Sequence, residues 1–420
     1  MSTTIPSTAR PVHAGTQQFP IVGAELTVGG IPLGRLAARV GQTPFYAYDR
    51  ALLSTRMAEV RAHLPAALRL HFSMKANPMP AVVQHMAGLV DGIDVASAGE
   101  LKTALDTGFD PAHISFAGPG KTPAELARAI AAGVTINVES STEIDRVARL
   151  ADELGIAPRV VVRVNPDFEL KGSGMRMGGG AKPFGIDAEG VPACLAQLDA
   201  LGIALQGFHV FSGSQSLKAE AIAECHTRSF ELALGLAAQA RDPVPGFYFG
   251  AGFGIPYFPG EGRLDLAPIG ANLDAWMRRM AAEQPHTRVS LESGRYLVGE
   301  AGIYVARVID RKVSRGQVFL ITDGGLHHHL AASGNFGQVI RKNYPVAIGN
   351  RMDAASDADA RETVTVTGPL CTPLDVLAER MELARAEVGD LVVVFQSGAY
   401  GLSASPTAFL GHPAPLEVLV

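Results

Sequence analysis

Eight short apolar, β-branched runs recur along the first three hundred residues, near 68–74, 92–96, 114–117, 134–138, 159–164, 204–211, 246–250 and 288–292. Most intervals between them carry helix-period segments. The helix starts are marked chemically: Ser97, Thr122 and Ser140 each stand three residues before a glutamate, at Glu100, Glu125 and Glu143. The hydroxyl can accept from an orphan amide of the first turn while the glutamate reaches back, as in a capping box. Gly108, Gly133, Gly155 and Gly202 follow the helical patterns, where a left-handed residue closes a last turn. Eight strand-then-helix units over about 250 residues match a (β/α)8 barrel in size and order, with a doubly wound sheet as the alternative.

Beyond residue 300 the pattern turns to β. The stretches "GIYVARVIDRKV", "QVFLITDGG", "ETVTVTGPLC" and "DLVVVFQSGAY" are separated by turns and by the polar, exposed-looking "GNRMDAASDADARE". The run "AELTVGGIPLGRLAARVGQTPFYAYD" adds strand-like pieces before the first barrel strand, and is expected to join the C-terminal sheet because chain termini often lie close together. The expected organisation is a flexible tail at 1–20, a barrel at 50–300, and a β domain built from 21–49 and 301–420.

Composition excludes several classes. With 36 Lys+Arg against 41 Asp+Glu and no long basic run, there is no footprint for nucleic acid or an anionic membrane. No stretch reaches signal-peptide or membrane-spanning character, so a cytoplasmic location is expected. Cys194, Cys225 and Cys371 are odd in number and far apart, which disfavours a disulfide framework or a zinc cluster. The expected partners are a small molecule and a second copy of the chain.

In a barrel the C-terminal strand ends form the active-site face, and "HFSMKANP" places Lys75 at that end of strand one. Closure brings strand eight alongside, so Glu292 and Arg295 of "LESGRYLVG" face the same mouth as the glycine-rich "YFGAGFGIPY" of strand seven. Gly250, Ala251, Gly252 and Gly254 let backbone amides approach an anion, and Arg295 can bind it with paired hydrogen bonds. A lysine amine for an aldehyde, an anion pocket, and a carboxylate for a pyridine nitrogen together point to pyridoxal phosphate.

These motifs resemble the pyridoxal-phosphate-dependent decarboxylases of the diaminopimelate, ornithine and arginine group, which share a barrel and β domain with alanine racemases. The matching stretches run in order from about residue 40: "TPFYAYD", "HFSMKANP", "GIDVASAGEL", "GPGKTPAEL", "INVES", "RVNP", "KPFGI", "GFHVFSGSQ", "GAGFGIPY", "ESGRYLVGEAG", "GPLCTPLD" and "GAYGLSASPTAF". The resemblance implies an amino-acid α-decarboxylase that works as a homodimer with shared active sites. It casts Lys75 as the Schiff-base lysine, Asp94 and Arg163 as pocket residues, Ser214 as a phosphate neighbour, and Gly252, Glu292, Gly294 and Arg295 as phosphate and pyridine ligands. Cys371 and Tyr400 resemble residues reaching the site from the partner subunit, the first as proton donor to the α-carbon and the second as a phosphate ligand.

Departures concern the substrate. Phe211 stands where relatives have a ring-stacking histidine, with His209 two residues earlier on the same strand face. Thr372 stands where relatives have an acid for the distal amine, and Arg341 and Tyr344 in "VIRKNYP" are carboxylate-binding candidates with altered spacing. "NPDFELKGSGMRMGGGAKPFGI" resembles a subgroup associated with exosortase and exopolysaccharide gene clusters, so the substrate is expected to differ from an ordinary diamino acid. The alternatives are a racemase, disfavoured because alanine racemases carry an arginine near the pyridine nitrogen, and a non-catalytic cofactor-binding relative.

Other features have plainer readings. "GPGKT" at 118–122 lacks the first glycine of a P-loop, and "GAGFG" at 250–254 lacks dinucleotide-site spacing. His327-His328-His329 is expected at a pocket rim or surface loop rather than on a metal, because adjacent strand residues face opposite ways and no acidic cluster follows. Asp94 and Arg163 have an internal ion pair as their structural alternative.

Overall fold

The computed structural model describes residues 11–353 and 360–420. The eight apolar runs become the parallel strands Arg69–Ser73, Gly92–Val95, Ile114–Phe116, Thr135–Val138, Arg159–Asn165, Leu205–Val210, Gly246–Gly250 and Arg288–Ser293. Each pairs with its neighbours, and the eighth closes onto the first through Ser290–Arg69 and Glu292–His71. That closure decides for the barrel over the open doubly wound sheet.

Strand periodicity sorts the side chains into two populations. Leu70, Phe72, Ile93, Val95, Ile136, Val162, Phe208, Phe247 and Leu291 face outward into the main hydrophobic core beneath the helices. The alternate residues His71, Ser73, Asp94, Ser115, Asn137, Arg163, His209 and Glu292 face inward, buried and mostly hydrogen-bonded. Barrels of this kind ordinarily fill their interior with Val, Ile and Leu. Here the apolar seal lies outside the strands and the interior is polar.

The helix punctuation behaves as its chemistry requires. Thr122 and Glu125 form a reciprocal capping box on Pro123–Ala132. Ser97 and Ser140 accept from the backbone of Glu100 and Glu143, whereas those glutamates reach one residue past the cap, to the N–H groups of Ala96 and Glu139. Gly108, Gly133, Gly155 and Gly202 all take positive φ at helix ends.

The C-terminal sheet runs in the order Val346–Ile348, Leu391–Val394, Gly302–Ser314, Gln317–Thr322, Arg361–Thr367, Val376–Ala384. The N-terminal strand Phe45–Tyr48 joins it, antiparallel to Gly302–Ser314 and parallel to the final strand Leu416–Leu419. Upstream, Glu25–Val28 lies in a small three-stranded sheet, and Leu33–Val40 forms a helix with Leu33, Leu36 and Ala37 buried. Of the expected tail, residues 1–10 lie outside the described residues. The remainder is docked: Val12 O accepts from Gly260 N at 2.8 Å, His13 Nε2 donates to Asn343 O at 2.8 Å, and Phe19 is buried against Phe395. Residues 354–359 of the polar stretch also lie outside the described residues.

Candidate active site

Strand one ends at Ser73 and passes into the one-turn helix Met74–Ala76, which lifts Lys75 to the barrel mouth. The C-terminal segment clamps this turn: Tyr400 N donates to Ala76 O at 2.8 Å, and Asn77 Nδ2 donates to Gly398 O at 2.9 Å. Lys75 Nζ then sits 5.6 Å from the centre of the Phe211 ring. One pocket is lined by Lys75, Phe211, Ser214, Gly252, Glu292, Gly294, Arg295 and Tyr400. Its remaining wall includes Met175 and Met177 of the glycine-rich loop after strand five. That loop is pinned over the pocket by pairing of Met175 with Ser214.

Glu292 is buried, and its Oε2 accepts from His209 Nε2 at 2.9 Å. Burial alone would raise the carboxyl, but the charge and hydrogen bond of His209, then His71 and Lys75, outweigh it and hold Glu292 at about 2. Deeper in the barrel, burial and repulsion from Glu292 raise Asp94 against the pull of His71, whose Nδ1 lies 3.1 Å away. Arg295 is held by Tyr257, whose hydroxyl accepts from Nη1 at 2.9 Å, and lies 4.5 Å from the centre of the Tyr400 ring.

Two buried atoms at this pocket have no protein partner: Glu292 Oε1, an acceptor, and Arg295 Nε, a donor. A buried acceptor and donor left unpaired each cost stability unless a ligand supplies the complement. The N–H of a protonated pyridine satisfies the first, and a phosphate oxygen the second. Gly252 takes φ +78°, and a Cβ at Gly294 would lie 2.9 Å from both Ala76 Cβ and Ser73 O, so the backbone approaches closely where the anion belongs. The chain's own residues therefore fit pyridoxal phosphate.

Several residues singled out from the sequence lie elsewhere. Asp94 and Arg163 do not pair with each other: Asp94 bonds to His71, Ser73 and Ser115 below the pocket, and Arg163 bonds to Glu139 at 3.0 Å with Phe184 beside it. Ala251 acts through its backbone, donating N–H to Glu292 O at 2.9 Å. Gly250 gives room to Phe211, since a Cβ there would meet the ring at 2.4 Å. Phe211 takes the place beside Lys75, while His209 reaches Glu292 instead of substituting for a stacked ring. Tyr400 corrects the expectation of a partner-derived ligand: it lines the pocket of its own chain, drawn there by its bond to Ala76. Cys371 and Thr372 sit on a turn outside this pocket, with Cys371 exposed.

The carboxylate-binding candidates are otherwise engaged. Arg341 donates to the carbonyls of Ser333 and Val376, and Tyr344 is buried with its ring 4.6 Å from Tyr257. The histidine triplet is not a surface loop. His328 and His329 are buried and bonded to Tyr304, Pro413 and Ser397, because rings from distant segments close over them. Among the described residues no group of three His, Cys, Asp or Glu is placed to hold a metal. Lys121 of "GPGKT" is buried on Glu143 at 3.0 Å and on the carbonyls of Gly118 and Asn137, so it braces a turn.

Sequence reasoning passed over Met175, Met177, Tyr257, His71 and His226. Strand parity alone would have placed His71 inside, two residues before Ser73. His226, on the long helix Ala219–Ala237, steadies the glycine loop by donating Nε2–H to Ala251 O at 3.2 Å. Nothing local marks that contact.

The profile of the family described as "Pyridoxal-dependent decarboxylase, pyridoxal binding domain" matches residues 50–299. The chain is 37% identical to the L-glutamyl-[BtrI acyl-carrier protein] decarboxylase of Niallia circulans, over 90% of this chain and 89% of the relative. It is 30% identical to the 2-[(L-alanin-3-ylcarbamoyl)methyl]-2-hydroxybutanedioate decarboxylase of Staphylococcus aureus, over 88% of this chain and 92% of the relative. Its fold is similar to that of the diaminopimelate decarboxylase of M. jannaschii in co-complex with L-lysine, with a TM-score of 0.83 at 24% identity, covering 96% of this chain and 92% of the other.

Proposed function

The chain belongs to the pyridoxal-dependent decarboxylase family, and on that premise we propose that its substrate is an α-amino acid whose far end is acyl-linked and carries no free ammonium. The enzyme removes an amino-acid α-carboxylate with pyridoxal phosphate as cofactor. One observation carries the substrate reading: among the described residues Glu292 is the only carboxylate that one chain brings to the pocket, and it is engaged by His209.

A diamino acid needs a second acid for its distal charge. Relatives supply it just after the cysteine, where this chain has Thr372. The next acid, Asp375, is buried and accepts from the backbone N–H groups of Leu326 and Leu370, so it does not substitute. In their place the pocket offers Met175 and Met177, polarizable and adaptable walls for an uncharged chain. The names of the two relatives point the same way. One acts on a glutamyl group carried by an acyl-carrier protein, the other on an alanin-3-yl group joined through a carbamoyl. α-Decarboxylation requires a free α-carboxylate, so a carrier-linked glutamyl group must be attached through its side-chain carboxyl.

The cofactor, when bound, supplies an electron-withdrawing ring that accepts the electrons of the breaking bond to carbon dioxide. The chain's residues serve that chemistry. Lys75 presents its amine at the mouth, Arg295 and Gly252 hold the phosphate end, and Glu292 Oε1 keeps a proton at the ring nitrogen while His209 fixes its orientation. Phe211 supplies an apolar face, excluding water on one side. The working enzyme is a cytoplasmic homodimer in which the partner subunit's Cys371 delivers the proton to the α-carbon.

Thr372→Asp tests the specificity argument. It should raise kcat/KM for diaminopimelate or lysine at least about tenfold, the effect of one restored charge pair, and lower it for the side-chain thioester of glutamate. Unchanged preference would remove Thr372 from the account.

A further inference from the structure

The barrel has a second cavity at the end opposite Lys75, of about 420 Å³ against about 180 Å³ around Lys75. Arg69, Arg159 and Arg288 are the first residues of strands one, five and eight, and all three line it, with His113 and His286 nearby. Their inward direction follows from the same parity that points His71 and Glu292 into the barrel. Arg56 and Arg163 elsewhere in the chain each face a carboxylate, of Glu300 and Glu139 respectively. Among the described residues, the side chains of Arg69, Arg159 and Arg288 have neither hydrogen-bond nor ion-pair partners, and Arg159 Nε is buried without one.

The acids within reach are already engaged. Asp110 accepts from Ala112 N and faces His113 at 3.7 Å. Asp94 and Glu292 lie deeper, held by His71, Ser115 and His209. Asp199 and Asp242 line a separate groove that adjoins this cavity at Gln206 and Pro245. Three like charges converging on one cavity repel each other, and a multivalent anion relieves that repulsion while filling their donors.

We infer that the end of the barrel opposite Lys75 is a binding site for a small multivalent oxyanion of the phosphate class, separate from the site for the cofactor phosphate. Guanidinium forks match tetrahedral oxyanions in a paired geometry that a monovalent halide cannot use. Because the cavity opens on the face opposite Lys75, the ligand enters and leaves without disturbing the bound cofactor.

Calorimetric titration of the cofactor-loaded enzyme with inorganic phosphate, at constant ionic strength balanced with chloride, tests this. One saturable site per chain is expected, with the cofactor absorbance unchanged. Binding should weaken roughly tenfold in Arg159→Gln and in the more exposed Arg288→Gln, a loss of about one charged contact. Without phosphate, Arg159→Gln should melt no lower than the parent, because it removes a repulsion. Absence of saturable binding, binding in both variants as tight as in the parent, or a lower melting temperature for Arg159→Gln without phosphate would each overturn the assignment.

Discussion

His209 Nε2 lies 2.9 Å from Glu292 Oε2 with both side chains buried, so the carboxylate that faces the pocket through Oε1 has its second oxygen already committed. Charged hydrogen bonds of this kind contribute about 1.5–3 kcal/mol. His209→Ala should therefore let Glu292 rise toward its ordinary range and cut kcat roughly 10- to 100-fold. The acid limb of the kcat–pH profile should move upward, which a purely structural loss would not produce. An unmoved limb would detach His209 from the chemistry.

Gly250 and Phe211 share one space, because a Cβ at residue 250 would meet the Phe211 ring at 2.4 Å. Gly250→Ala should displace the ring from Lys75 and weaken cofactor binding about tenfold or more, as overpacking of a tight site costs about 1–3 kcal/mol. Adding Phe211→Ala should recover part of that affinity in a double-mutant cycle. Strict additivity of the two changes would show that the contact is not the cause.

The homodimer with shared sites proposed above predicts complementation. Lys75→Ala and Cys371→Ala chains should each be nearly inactive alone, and Cys371→Ala should still bind cofactor. Mixed and reassociated in equal amounts, they should regain about one quarter of parental activity, since half the dimers carry one intact site of two. A mixture as inactive as its parts would argue that Cys371 works within its own chain or not at all.

Acid sensitivity follows from histidines buried neutral. Burial lowers His226 to about 4 and His329 to about 3. Between pH 6.5 and those values the unfolded chain binds protons that the folded chain does not, so stability falls as pH drops, by at most roughly 1.4 kcal/mol per pH unit for each group. His71 has the opposite sign: its pKa is raised, because Asp94 and Glu292 outweigh the effect of burial, so its contribution is full below pH 6.5 and fades above its folded value. Melting temperatures should decline from pH 7 to pH 5, with a shallower slope in His226→Gln. Equal slopes in parent and variant would contradict the assignment of His226.

The barrel was legible because its strands present a wholly apolar face outward, so Leu70 and Phe72 or Phe247 and Phe249 stand out even though the inner face is polar. Lys75, Glu292 and Arg295 could be placed because barrel topology fixes which strand ends share a mouth. Other parts depended on contacts with no local trace. Val376–Ala384 is rich in helix formers, and its strand state comes from pairing with Arg361–Thr367. The burial of His329 needs Ser397 and Tyr46, from segments far apart in the chain. Tyr400 could be assigned to its own chain only once its bond to Ala76 was visible.

The most direct test of the substrate assignment is carbon dioxide release from the α-carboxylate, measured for the cofactor-loaded enzyme on the glutamyl side-chain thioester of pantetheine, free glutamate, lysine, ornithine and meso-diaminopimelate. Release from the thioester, with free diamino acids turned over at least about a hundredfold less efficiently, is the expected result, matching the loss of a charged partner for the distal amine. Efficient release from diaminopimelate or lysine, with none from the thioester, would contradict it.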